Sequence, residues 1–204
     1  MSTLVLIPMK DSSQAKSGLE ERLGLKERSG LALHLFRRTL AVLEAAQDRE
    51  SFDIAVVTRC RRVANIATPH RVIGELKPGL NPALTYAADR AVVFGYNRLC
   101  ILPGDLANPC VGDIVGLLRS TADVVICPSE DRSTNAMILP LPARFPMSFG
   151  PGSAALHADA ARMAGYRPSV MPFRSLCHTI DCPACLDRAM AEVPELRPWG
   201  ASQL

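Results

Sequence analysis

Two short stretches, far apart in the chain, place charge where a sheet would end. Pro8-Met9-Lys10, with Ala15-Lys16-Ser17 behind it, and Leu102-Pro103-Gly104-Asp105-Leu106 each follow an apolar run. Open α/β sheets receive ligands outside the carboxyl ends of their strands. Lysines after one strand and a lone carboxylate after another therefore suit the phosphates of a nucleotide and their metal ion. Lysine is a compact positive charge for polyphosphate, and Lys10 and Lys16 could close around one across Ser12-Ser13; a solvated loop with incidental lysines is the plainer alternative. Magnesium prefers oxygen ligands, commonly one or two carboxylates completed by substrate phosphates. Asp105 meets that need, with a helix N-cap or turn aspartate as the competing reading. Asp181 ends another apolar run and is a candidate second ligand, although aspartate before Cys-Pro is equally good turn chemistry.

Such residues fit nucleotidyl transfer, which asks a protein mainly for positioning and charge neutralisation. A nucleophile attacks the α-phosphorus of a nucleoside triphosphate, pyrophosphate leaves, and a divalent cation offsets the charge. Gly79-Leu80-Asn81 could let backbone approach a flat base, with the Asn81 amide offering donor and acceptor; a simple helix start explains it as well. Gly150-Pro151-Gly152-Ser153 opens onto a helix and could present backbone N–H groups to an anion, or could be an ordinary proline-rich loop. His157 reads as a packed or surface histidine and receives no role.

The elements that must position these residues alternate along the chain. Apolar strands are expected at 3–7, 54–58, 72–73, 98–102, 124–127 and 135–139, with later ones at 170–172 and 175–180. Helices are expected from about Gly30, capped by Ser29, to Ala46, then at 62–67, after the turn at 77–82, at 113–118, at 154–164 and after Pro183. Strands separated by helices call for a mostly parallel central sheet covered by helices on both faces, an α/β fold. No repeat or linker breaks the chain, so residues 1–204 are expected to form a single domain.

Composition narrows the partners. A net charge of only +3, from 23 basic and 20 acidic residues, with 5% aromatics, argues against nucleic-acid binding through a basic face or stacked bases. No apolar run reaches the roughly 20 residues that cross a bilayer, and Leu4–Ile7 lacks the charged lead of a signal peptide. A cytoplasmic protein without a membrane partner is expected, and a homodimer is a reasonable assembly. The seven cysteines are scattered, which makes a disulfide framework unexpected in that compartment. Cys60, Cys100, Cys110 and Cys127 read as small buried hydrophobes. Cys177-His178 with Cys182-Pro183-Ala184-Cys185 has spacing that could seat zinc, with buried thiols the plainer reading.

Taken together, the chain resembles the family of 2-phospho-L-lactate, phosphoenolpyruvate and 3-phosphoglycerate guanylyltransferases. The carriers are Ile7-Pro8-Met9-Lys10 through Ala15-Lys16-Ser17, Gly79-Leu80-Asn81-Pro82-Ala83-Leu84, Leu102-Pro103-Gly104-Asp105-Leu106, Ser133-Thr134-Asn135-Ala136, Phe149-Gly150-Pro151-Gly152-Ser153 and Ile180-Asp181-Cys182-Pro183. The resemblance implies a Rossmann-like nucleotidyltransferase fold. It implies an enzyme that joins GTP to a small phosphorylated carboxylic acid with release of pyrophosphate, in coenzyme F-420 biosynthesis. By position, Lys10 and Lys16 would hold the triphosphate, Gly79, Asn81 and Pro103 would lie along the nucleotide with Asn81 at the guanine, and Asp105 and Asp181 would bind Mg2+. Thr134, Asn135, Gly150 and Ser153 would receive the phosphoacid.

Two positions depart from the family pattern. Gly18 stands where arginine is usual, and Thr179 where an acidic residue is usual, so one negative ligand is missing. These changes motivate a second reading, a catalytically weakened relative that senses nucleotide or phosphoacid. A zinc-stabilised interaction module built on Cys177, Cys182 and Cys185 is a third.

Overall fold

The computed structural model of the protein describes residues 2–11 and 16–200; Ser12, Ser13 and Ala15 lie outside the described residues. In chain order the strands are β1 (Thr3–Pro8), β2 (Asp53–Val57), β3 (Arg71–Ile73), β4 (Arg98–Ile101), β5 (Val124–Pro128), β6 (Thr134–Pro140) and β7 (Pro168–Val170). The helices are α1 (Leu25–Gln47), α2 (Arg61–Ala67), α3 (Leu80–Val93), α4 (Val111–Leu118), α5 (Ser153–Met163) and α6 (Pro183–Glu192). The strands form one seven-stranded sheet in the order β3-β2-β1-β4-β6-β5-β7. Only β6 runs against its neighbours β4 and β5, so the expected mostly parallel α/β sheet is what the chain builds.

Side-chain alternation explains why helices cover both faces. Val5 and Ile7 of β1, Ile54 and Val56 of β2, and Cys100 of β4 enter one core with Phe36, Leu40 and Leu43 of α1 and Ile114 and Leu117 of α4. Their neighbours Leu4, Leu6, Ala55, Val57, Leu99 and Ile101 enter the other with Leu84, Ala87 and Ala88 of α3 and Ala158 and Ala161 of α5. Each fully buried Leu or Ile contributes about 1.5–3 kcal/mol, so the sheet is held firmly from both sides. A third cluster joins Leu31 and Leu35 on the outer side of α1 to Leu186 and Leu196, which docks α6 and the final turns.

Several expectations are corrected. Helix α1 starts at Leu25 rather than Gly30, because the Glu27 carboxylate accepts the Gly24 N–H at 2.8 Å and fixes the first turn earlier. The apolar stretch 175–180 is not a strand; it holds a 3-10 turn at Arg174–Leu176 and a single antiparallel bridge between Leu106 and Thr179. Cys110 is exposed, not buried, and caps α4 by accepting the Asp113 N–H. Cys182 and Cys185 are joined as a disulfide within the first turn of α6, while the Cys177 thiol donates to the Phe173 carbonyl at 2.9 Å. That disulfide takes two of the three thiols that the zinc module needs, and among the described residues no three or more His, Cys, Asp or Glu side chains gather as a metal site. Burial pushes the Cys100 and Cys127 thiols up to about 12, so both act as inert core residues. Among the described residues no helix is long and apolar enough to cross a membrane.

Candidate active site

At the carboxyl edge of β1, β2 and β4 lies a cavity of about 610 Å³. Pro8, Lys10, Lys16, Gly79, Pro103, Asp105 and Asp181 all line it, so segments separated by much of the chain converge as the strand-end rule requires. Asp105 arrives on the turn after β4. Asp181 reaches it because the Leu106–Thr179 bridge and the bond from the Ala107 N–H to the His178 carbonyl, 3.0 Å, stitch the two segments together. Ile180, fully buried, anchors the second segment from below.

Lys16 sits between the two carboxylates. Its Nζ donates to Asp105 Oδ2 at 2.6 Å and to Asp181 Oδ1 at 3.2 Å. The Lys16 side chain is only 2% exposed, against 28% for Asp105 and 61% for Asp181, so the ammonium is the buried member of the trio. Burial alone would lower the lysine pKa, but the attraction of Asp105, and then of Asp181, outweighs it and holds the pKa above its ordinary value. The backbone of Lys16 is left-handed, with φ 58 and ψ 39. A non-glycine residue there costs about 1–2 kcal/mol, which the two charge-assisted hydrogen bonds offset. Lys10 is exposed on the same cavity's lining.

Gly18 explains its own departure from the family pattern. A Cβ at this position would stand 2.2 Å from the Asp181 carbonyl oxygen. The glycine therefore lets the Ser17–Leu19 turn press against the Asp181 backbone, and any side chain here would push that carboxylate's segment away from Lys16. Thr179 does not face the Asp105 cavity; it lines a separate cavity of about 180 Å³ with Arg174, His178 and Glu130. Asp105 and Asp181 are thus the two carboxylates that Lys16 draws together, while Asp11 and Glu75 line the same cavity.

Other expected residues are placed differently. Both polar atoms of the Asn81 amide bond the Phe149 peptide: Nδ2 donates to the Phe149 carbonyl at 3.1 Å, and Oδ1 accepts the Phe149 N–H at 2.8 Å. It pins the glycine-proline loop. Asn135 donates to the Leu176 carbonyl at 2.9 Å. Thr134, Ser153 and His157 form a buried knot: the Thr134 N–H donates to Ser153 Oγ at 2.8 Å, and Ser153 Oγ donates to Thr134 Oγ1 at 3.2 Å. Because His157 Nε2 accepts the Ser148 N–H at 2.9 Å, its Nδ1 carries the proton and donates to Thr134 Oγ1 at 2.8 Å. None of Thr134, Asn135, Gly150 and Ser153 lines the large cavity. They do share its edge of the sheet, because β6 is antiparallel and Met137 pairs with Ile101, which puts the start of β6 beside the end of β4.

Burial lowers the His157 pKa to about 4. The unfolded chain binds this proton near pH 6.5 and the folded one does not, so stability falls as the pH drops from about 6.5 to 4, by at most roughly 3 kcal/mol. Urea unfolding across that window is expected to show the loss, and His157→Gln, which keeps an acceptor for Ser148, is expected to flatten it.

Arg59 and Glu75 also line the cavity and were passed over in the sequence. The signal was available, since each is the first charged residue after a strand, the same rule that singles out Lys10 and Asp105.

A mostly parallel sheet whose strand ends bring Lys10 and Lys16 into one cavity with Asp105 and Asp181 is the arrangement of a nucleotidyltransferase. The fold matches a solved nucleotidyl transferase from Methanothermobacter thermautotroptrophicus with a TM-score of 0.62 at 12% identity, covering 96% of this chain and 98% of that one. The chain belongs to the family described as Guanylyl transferase CofC like, which matches residues 3–189. Phosphoenolpyruvate guanylyltransferase of Rubrobacter xylanophilus is 34% identical over 199 residues, covering 94% of this chain and 95% of the relative. 3-Phospho-D-glycerate guanylyltransferase of Colwellia psychrerythraea is 29% identical over 192 residues, covering 92% and 90%.

Proposed function

We propose that this protein, acting as a single nucleotidyltransferase domain, joins GTP to a small phosphorylated carboxylic acid and releases pyrophosphate. The observation that carries the reading is the Lys16 ammonium held between Asp105 and Asp181 inside a nucleotide-sized cavity. We favour phosphoenolpyruvate as the acid, after the Rubrobacter relative, with phospholactate and phosphoglycerate as the alternatives. A step in coenzyme F-420 biosynthesis in the cytoplasm is the matching cellular role.

Two carboxylate oxygens already gathered around one cation fit a divalent ion whose remaining ligands come from phosphate. Asp105 and Asp181 would hold Mg2+, which when bound draws negative charge from the α-phosphorus and the departing pyrophosphate. Lys16 then passes from the carboxylates to the triphosphate, and Lys10 covers it from the cavity mouth. The acid's phosphate oxygen attacks the α-phosphorus as the bond to the pyrophosphate oxygen breaks. That oxygen is already anionic, so no base is required, consistent with a histidine that is buried and spoken for. The acid would approach from the β6 side, where Thr134, Asn135, Gly150 and Ser153 lie at the same sheet edge. For Thr134 and Ser153 to receive it, their mutual hydrogen bonds must open.

Against a sensor without turnover stand the relatives named as guanylyltransferases and the close packing that accounts for Gly18; Thr179 leaves Asp105 and Asp181 as the proposed metal ligands. The test is a panel of the three acids against GTP with Mg2+, read as pyrophosphate release and product mass. The expected outcome is equimolar pyrophosphate and guanylyl diphospho-acid with at least one acid; GTP binding without product from any of them would overturn the reading.

A further inference from the structure

We infer that Glu75 reads the guanine base, an assignment that rests on the nucleotide reading of this cavity and deepens it. The position follows from topology. In the sheet order β3-β2-β1-β4, Asp105 stands beyond β4 and Glu75 just beyond β3. Three strand spacings of about 4.8 Å separate these ends by roughly 14 Å, a distance that a ribose and phosphates can span. With Lys16 and Asp105 holding the phosphates, the base falls at the β2–β3 end of the cavity.

The lining at that end suits a flat, edge-polar ring. Val57, Leu80 and Pro8 supply apolar surface. Gly79, with φ 108, holds a backbone conformation that removes a side chain from the approach. Arg59 and Glu75 are the polar side chains at this end; the Glu75 side chain is 12% exposed, and Arg59 Nε, 3.9 Å from its carboxylate, belongs to a side chain that is 57% exposed. The Glu75 carboxylate is therefore only loosely paired. A carboxylate offers two acceptors side by side and no donor. Guanine alone among the common bases presents two adjacent donors, N1–H and the 2-amino group, on one edge. Adenine and cytosine each set a donor beside an acceptor, and uracil flanks its single N–H with carbonyls. Asn81 bonds the Phe149 peptide through both amide atoms and is not among the residues lining the cavity.

The assignment predicts an exchange of specificity. Glu75→Gln replaces one acceptor with a donor, which mismatches the guanine 2-amino group and matches the carbonyl that xanthine carries there. Binding of GTP, ITP, XTP and ATP is measured by calorimetry, alongside pyrophosphate release with phosphoenolpyruvate. In the wild-type protein GTP is expected to bind roughly 10- to 100-fold tighter than ITP, as befits one lost hydrogen bond to a charged group. In Glu75→Gln the affinity for GTP is expected to fall about 100-fold while that for XTP rises at least about tenfold. Arg59→Gln serves as the control for a merely structural ion pair and is expected to retain the preference for GTP over XTP. Uniform weakening of all four nucleotides in Glu75→Gln, an unchanged base preference, or the same response in Arg59→Gln would each overturn the inference. Wild-type protein that prefers GTP yet releases no pyrophosphate with any acid would remove the proposed reaction and leave the base assignment standing.

Discussion

Asp105→Asn is expected to lower GTP-dependent pyrophosphate release by about 1000-fold or more, equivalent to about 4 kcal/mol of lost transition-state stabilisation, while the protein remains folded. Asparagine keeps an oxygen within reach of Lys16, now 2.6 Å from the carboxylate, so the geometry of the trio survives. What disappears is the negative charge that would hold the divalent ion beside the α-phosphorus, and mutations that remove a preorganised electrostatic contact commonly cost 100- to 1000-fold. Circular dichroism and thermal unfolding control for folding. A variant that turns over at the wild-type rate removes Asp105 from the chemistry.

Lys16→Met separates the lysine's two duties. The ammonium that neutralises Asp105 and Asp181 before substrate arrives also occupies the region a divalent ion would use. Methionine fills similar space without charge. Removing one partner of a buried ion pair commonly costs about 3–5 kcal/mol, a cost moderated here because Asp105 and Asp181 are 28% and 61% exposed and can be solvated, and thermal unfolding controls for it. The two carboxylates are then left facing each other with no cation. Turnover is expected to fall about 100- to 1000-fold because the triphosphate loses a charge partner. In the absence of nucleotide, Mn2+ affinity followed by electron paramagnetic resonance is expected to rise at least about tenfold, about 1.4 kcal/mol. Mn2+ affinity that stays the same or weakens would mean that Lys16 does not compete with the metal.

How far the sequence carried these arguments depended on whether a feature was local. The strands around Leu4–Ile7, Ile54–Val57 and Leu99–Ile101 were legible because burial on both faces of a parallel sheet writes continuous apolar runs. Lys10, Lys16 and Asp105 were legible because strand ends are where such sheets bind ligands. The capping of α1 was misread because Ser29 looks like a cap, whereas the Glu27 carboxylate reaches back to Gly24 and sets the first turn earlier. The segment 175–180 read as a strand because Leu176 and Ile180 are apolar, but both serve as buried anchors and the backbone pairs only once with β4's exit turn. The true partners of Asn81, and the close approach of Gly18 to Asp181, depend on contacts between residues far apart in sequence. No local pattern encodes them.

The most direct measurement is a crystal structure with Mn2+ and a GTP analogue whose α,β-bridging oxygen is replaced by methylene, with the ion located by its anomalous signal. The predicted result is one ion between Asp105 and Asp181, touching phosphate oxygens, with Lys16 Nζ shifted onto the triphosphate. An ion bound elsewhere, or Lys16 still clasped between both carboxylates with nucleotide in the cavity, would contradict the account.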